Sequence, residues 1–83
     1  MTPTENREAL INLLADVFLI DEDSITDQLT RSDIETWDSL GTVSLALGVD
    51  ETFGYHMKPE EALGLASIGD LVILLRNRGI EIE

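Results

Sequence analysis

The chain has 83 residues, 43% of them apolar, and its five basic and seventeen acidic side chains give a net charge of −12. Independent domains run to about 50–250 residues, so residues 1–83 fit one domain with a small core, and a mean hydropathy of +0.06 argues against disorder. The charge excludes unaided binding to nucleic acid or anionic lipid and points to partners with basic surfaces. The absence of cysteine excludes a disulfide scaffold, a thiolate metal site and a thiol nucleophile from the chain itself. The single histidine, His56, excludes a multi-histidine metal site and offers little to a Ser-His-Asp triad. The opening MTPTENREAL has no basic region followed by an apolar run, so no secretory signal is expected. The longest uninterrupted apolar stretch, Leu71 to Leu75, is far too short to span a membrane, and a soluble, cytoplasmic protein is the expectation.

Thr2, Pro3 and Glu5 form a capping-box pattern with proline at a first-turn position. Leu10, Leu13, Leu14, Val17 and Phe18 then make one apolar stripe, which predicts a helix over about residues 3–19. Between Ile20 and Asp38 the apolar residues Ile20, Ile25, Leu29, Ile34 and Trp37 fit neither helix nor strand. This stretch reads as a long loop with one short turn around Ser24–Leu29, pinned by its apolar residues as a belt across the bundle. Ser39 is placed as the cap of the next helix, with Asp38 adding favourable charge at its positive end. Leu40, Val43, Leu47 and Phe53, with Ala46 beside them, are assigned as that helix's apolar face through about residue 53, and Gly54 stops it. Gly41 and Gly48 lower helix propensity and mark either a close approach or a tolerant surface.

Pro59, Glu60 and Glu61 open a short helix with Ala62, Leu63 and Leu65 on its apolar side. Ser67, with Asp70 three residues on, starts the last helix, whose core face is Ile68, Leu71, Val72 and Leu75. Arg76 and Arg78 suit its negative end, Gly79 closes it, and the tail IEIE reads as a frayed end. The expected fold is all-α: a four-helix bundle with three main helices, a short third helix and a long first loop.

Two motifs invite chemistry. Asp21, Asp23 and Asp27 suggest a calcium loop, but Ile25 falls on a ligand position, Thr26 replaces the required glycine and Ser32 stands where the bidentate glutamate belongs. These acids are read as a solvated surface, and no metal site is assigned. Asp38-Ser39-Leu40 is the second, because a serine at the mouth of a helix offers a hydroxyl beside free N–H groups that suit a phosphate ester.

The run Trp37-Asp38-Ser39-Leu40-Gly41-Thr42-Val43-Ser44-Leu45 resembles the modification site of the acyl carrier protein family. Asp50-Glu51-Thr52-Phe53-Gly54 resembles the exit of that family's second helix, and Pro59-Glu60-Glu61 and Ser67-Ile68-Gly69-Asp70-Leu71 resemble the openings of its third and fourth helices. The resemblance implies a non-enzymatic carrier in which Ser39 receives 4′-phosphopantetheine from coenzyme A and the arm's thiol holds acyl groups as thioesters. The implied partners are a phosphopantetheinyl transferase, a ligase that loads the arm, and downstream synthases or transferases with basic docking patches. Asp38, Leu40, Val43, Asp50 and Glu51 are the candidate partner contacts, although the stripe places Val43 in the core first. Gly41 and Ser44 stand where fatty-acid carriers typically have carboxylates, and the Trp-Asp-Ser-Leu opening looks more like carriers dedicated to specialised pathways.

The alternatives are an aminoacyl carrier, or a helical interaction module in which Ser39 is only a cap. A hydrolase using Ser39 lacks a paired base. Trp37 is expected to anchor the loop, and His56 to be an exposed loop residue. Because −12 on a small domain repels itself, melting midpoints should rise with added salt or magnesium, and thermal melts across ionic strength check this.

Overall fold

The structure, a computed structural model, describes residues 2–83. Its elements are α1 (Pro3–Phe18), α2 (Ser39–Phe53), α3 (Pro59–Leu63) and α4 (Ile68–Asn77), with single 3-10 turns at Glu22–Ser24 and Arg31–Asp33. The described residues contain no strand, only an isolated antiparallel bridge between Thr30 and Ser67. This is the all-α four-helix bundle expected, with a short third helix and a long first loop.

The capping box of α1 forms as predicted. Thr2 Oγ1 accepts from the Glu5 amide at 3.1 Å, and Glu5 Oε1 accepts from the Thr2 amide at 3.0 Å. Leu10, Leu13, Leu14 and Phe18 are buried, so the predicted stripe is the core face, with Val17 packed at its edge. Each side chain fully removed from water contributes about 1.5–3 kcal/mol of transfer free energy, and Phe18 is among the largest such groups here. Leu19 closes the helix in the left-handed region at φ 56°, its N–H bonded to Ala15 O.

The long loop is fastened at several points. Trp37 is buried and stacks on Phe18 at 5.1 Å between ring centroids, so it anchors the loop as expected. Thr36 Oγ1 donates to Phe18 O at 2.7 Å and satisfies a carbonyl at the end of α1. Ile34 is buried, while Ile20, Ile25 and Leu29 pack partly against the core. The expected turn closes through Leu29 N to Thr26 O at 3.1 Å, and the two 3-10 turns flank it. Loop carbonyls also complete α4: Ile68 N donates to Leu29 O at 2.9 Å and Gly69 N to Asp27 O at 2.8 Å. Ser67 Oγ accepts from Asp70 N at 3.1 Å, so the cap assigned to Ser67 holds.

Two expectations for α2 are corrected. Asp38, not Ser39, is the cap: its Oδ1 accepts from Gly41 N at 2.8 Å, and Ser39 is the first helical residue. The buried face is Gly41, Thr42, Leu45 and Val49, whereas Leu40, Val43 and Leu47 are exposed. The reason lies in the two glycines. A Cβ at Gly41 would collide with the Thr36 carbonyl oxygen, and one at Gly48 with the end of the Leu13 side chain. Both therefore mark close approaches, and the glycine side of α2 is the side that meets α1 and the loop.

The tail is also corrected. Ile82 is buried, Arg76 Nη2 donates to Ile82 O at 2.9 Å, Asn6 Nδ2 donates to Glu81 O at 2.8 Å, and Glu83 N reaches Pro3 O at 3.2 Å. The end of the chain thus closes the bundle beside the start of α1 and does not fray. Elsewhere α4 buries Ile68, Leu71, Val72 and Leu75 as expected. In α3 and the residues after it, Ala62 and Leu65 are buried and Leu63 points outward.

The glycine contacts predict opposed outcomes from one substitution type. Gly41→Ala gains about 1 kcal/mol of helix propensity but drives a methyl into a backbone carbonyl, so a net loss of about 1–3 kcal/mol is expected. Gly48→Ala meets only the tip of a flexible leucine and should cost less. Urea unfolding of both variants checks the order.

Candidate functional site

Ser39 is exposed at the first position of α2, where the chain leaves the Trp37 anchor. The orphan amides at a helix start point outward. Asp38 Oδ1 takes that of Gly41, and Asp38 O accepts from Thr42 N at 2.8 Å and Thr42 Oγ1 at 2.9 Å. Capping is thus carried by Asp38, and the Ser39 hydroxyl is left at the corner beside the positive end of the helix.

From Ser39 a cleft of about 340 Å³ runs along α2 towards Asp50. One wall is α2, through Thr42, Val43, Ala46 and Leu47; the other is Met57, Pro59, Ala62 and Leu63. The lining is apolar except at its ends. Asp50 and His56 close the far end, with His56 Nδ1 and Asp50 Oδ2 3.3 Å apart, and His56 is as exposed as expected. Among the described residues no cluster of acidic or histidine side chains is arranged to hold a metal ion, and no helix is long and apolar enough to cross a membrane.

No family model matches the chain. Curated relatives do. It is 31% identical over 72 residues to acyl carrier protein 2 of Ralstonia nicotianae, covering 87% of this chain and 89% of that one. It is also 29% identical over 77 residues to an acyl carrier protein of Lactobacillus acidophilus, covering 93% and 96% of the two chains. A third, from Coprothermobacter proteolyticus, is 29% identical over 70 residues, 84% of this chain and 85% of its own. The chain belongs to the acyl carrier protein family. It is accordingly a carrier and not an enzyme.

The structure distributes the carrier's sequence-assigned contact residues unevenly. Asp38 caps α2, Leu40 and Val43 are exposed beside Ser39, and Asp50 and Glu51 lie in the last turn of the same helix. Ser39, Val43 and Asp50 line the cleft together; Leu40 lies in a separate small groove with Val17, Thr36 and Ser44. Leu47, Met57 and Leu63 were not assigned to the site by sequence. Leu47 was taken into the core stripe, and only the exposure of its two stripe neighbours Leu40 and Val43 identifies the stripe as a surface.

The second wall is clasped at both ends by arginines. Arg31 Nη2 lies 3.3 Å from both Ala62 O and Leu63 O at the end of α3, and its guanidinium sits 5.3 Å over the Trp37 ring. At the other end Glu61 accepts from the Tyr55 hydroxyl at 2.5 Å, from Arg78 Nη2 at 2.8 Å and from the Lys58 amide at 3.0 Å. Its side chain is only 14% exposed. The Tyr55 hydroxyl first, then the guanidinium and the amide, lower the Glu61 carboxyl to about 2. The hydrogen bond to Glu61, helped by desolvation, raises the Tyr55 hydroxyl above its ordinary value, while the Arg78 guanidinium opposes the shift.

A carboxyl held below its ordinary value stabilises the folded chain above the unfolded value near 4.5, and that contribution is lost as pH falls through about 2. Glu61→Gln should therefore melt lower than the parent at neutral pH, with the gap closing as pH approaches 2. Paired thermal melts across pH check the trend.

Proposed function

We propose that Ser39 is the attachment residue for a 4′-phosphopantetheine arm and that this carrier passes thioester-bound acyl groups between biosynthetic enzymes. The observation that carries the reading is the placement of Ser39: exposed, relieved of capping by Asp38, and opening onto an apolar cleft. The residues fit such a group. The amides of the first turn and the helix dipole favour a phosphodiester at Ser39 Oγ, and Asp38 keeps its carboxylate turned to the Gly41 amide. The arm supplies a thiol, which a chain without cysteine does not have.

The transferase supplies the base and the metal ion that stabilises charge on the transferred phosphate, and Ser39 is the acceptor. The cleft walls, Val43, Ala46, Leu47, Met57, Ala62 and Leu63, offer apolar cover close to the attachment point. Delivery works by weak docking, which places the tethered cargo at high effective concentration in the next active site. Basic enzyme surfaces are the partners expected from the charge of −12.

Intact mass after incubation with coenzyme A, magnesium and a broad-specificity phosphopantetheinyl transferase tests the reading. One added phosphopantetheinyl group on the parent and none on a folded Ser39→Ala variant is the expected outcome. No addition to the folded parent, repeated with a cognate transferase, would leave Ser39 as a helix residue without an arm.

A further inference from the structure

The two clasps on the α3 wall of the cleft are unequal. At one end the Glu61 carboxylate accepts from the Tyr55 hydroxyl, Arg78 Nη2 and the Lys58 amide at 2.5, 2.8 and 3.0 Å, with a guanidinium among its donors. At the other end a single nitrogen, Arg31 Nη2, is shared between Ala62 O and Leu63 O at 3.3 Å each. Those bonds are long, since N–H···O distances centre on about 2.9–3.0 Å. Among the described residues no carboxylate pairs with Arg31. Arg31 Nε and Trp37 Nε1 are moreover buried without any hydrogen-bond partner. Both belong to one stack, in which the Trp37 ring meets Phe18 at 5.1 Å and the Arg31 guanidinium at 5.3 Å. A donor enclosed without a partner has given up water for nothing, so release of Arg31 returns free energy that release of Glu61 does not.

The weak clasp is the one beside Ser39. Trp37 precedes Ser39 by two residues, and Arg31 joins it to the Leu63 end of α3. The Pro59 end follows His56, which closes the far end of the cleft with Asp50. Little burial opposes a movement of α3, because Ala62 is its one buried residue and Leu63 is exposed. The flanking anchors, Met57 and Leu65, are buried, and Gly64 supplies a joint between α3 and Leu65.

We propose that Arg31 is the release point of the cleft: α3 turns about the Tyr55–Glu61–Arg78 group and swings outward at its Leu63 end when Arg31 lets go. Opening there breaks two long bonds and one stacking contact and gives water to Arg31 Nε, whereas opening at the Pro59 end breaks all three bonds of a paired carboxylate. The use of this movement rests on the carrier reading above. An apolar group tethered to Ser39 enters between Val43 and Leu63 without passing Asp50 and His56. Arg31 is thus a positioning residue for the cleft wall, and it acts on the cargo only through α3.

Relaxation-dispersion NMR on the unloaded, nitrogen-labelled chain tests the movement. Trp37 is the only tryptophan, so its indole N–H signal is unambiguous, and the Arg31 Nε–H is observable beside it. The amides of Leu63, Gly64 and Leu65 should share one exchange rate with these two side-chain signals, and those of Glu61 and Lys58 should stay quiet. Arg31→Met should raise the open population about tenfold, with thermal melts showing that the variant folds. Arg31→Lys, which keeps the charge without the planar fork, should fall between it and the parent and serves if the methionine variant does not fold. Glu61→Gln should spread the exchange to Lys58 and the start of α3.

Exchange that is greatest at Lys58 and Glu61, or equal along α3, would overturn the proposal, as would silence at Leu63–Leu65 in both the parent and the Arg31 variants. For the cargo, carriers charged by a transferase from octanoyl- and acetyl-coenzyme A are compared. The octanoyl group should alter the exchange at Leu63, Gly64 and Leu65 and the acetyl group should not; identical patterns would remove the entrance role. A folded parent that is never charged, beside a control carrier charged in the same buffer, would sink the carrier reading and leave the unloaded chain to decide the movement.

Discussion

The rest of this structure depends on how closely α2 lies against α1 and the end of the first loop. At Gly41 the Thr36 carbonyl leaves no room for a side chain, and at Gly48 the end of Leu13 would have to move, so these two close approaches select which face of α2 turns inward. With the glycine side buried, Leu45 and Val49 reach the core and Leu40, Val43 and Leu47 are turned outward. The same approach holds Thr36 between the last carbonyl of α1 and the first turn of α2, which sets the corner at which Ser39 emerges. A helix normally buries its largest aliphatic side chains. Here packing against backbone gives up some apolar burial, and the exposed leucines are the result.

The loop of nineteen residues from Ile20 to Asp38 works as a strap and not as a spacer. It delivers carbonyls to the start of α4, a hydroxyl to the end of α1, an indole to Phe18 and a guanidinium to the end of α3. Buried or half-buried backbone groups at three helix ends are thereby satisfied without long caps of their own. The cleft wall formed by α3 is held by side chains from elsewhere, Arg31 at one end and the Tyr55–Glu61–Arg78 group at the other. A five-residue helix has too few internal hydrogen bonds to hold itself, so these contacts define its position.

Where pattern and packing agreed, the sequence was legible. The stripes of α1 and α4 name their buried residues, and Thr2, Ser67 and Trp37 do what their positions suggest. The all-α bundle and the exposed serine at the mouth of α2 were both readable from spacing and from resemblance. The inward face of α2 was not, because hydrophobic periodicity weighs leucines and ignores what a missing Cβ allows. Asp38 displaced Ser39 as cap because both residue types cap well, and only the turn geometry selects between them. The tail and the Arg31 clasp depend on main-chain carbonyls, which every residue carries and which leave no mark in the sequence.

The four arginines are all engaged internally: Arg7 with Asp27 and Glu83 O, Arg31 at α3, Arg76 with Ile82 O and Arg78 with Glu61. With seventeen acidic against five basic side chains, the molecule presents a mainly acidic surface, broken by the exposed Lys58, Arg76 and Arg78, around the exposed Leu40, Val43 and Leu47. That surface acts as a colloidal guard. Equal negative charge opposes the joining of copies through these leucines. The guard weakens as the carboxylates take up protons, and near the isoelectric point of about 4.1 the net repulsion between copies vanishes. The electrostatic dispersal of a molecule with exposed leucines thus depends on neutral surroundings.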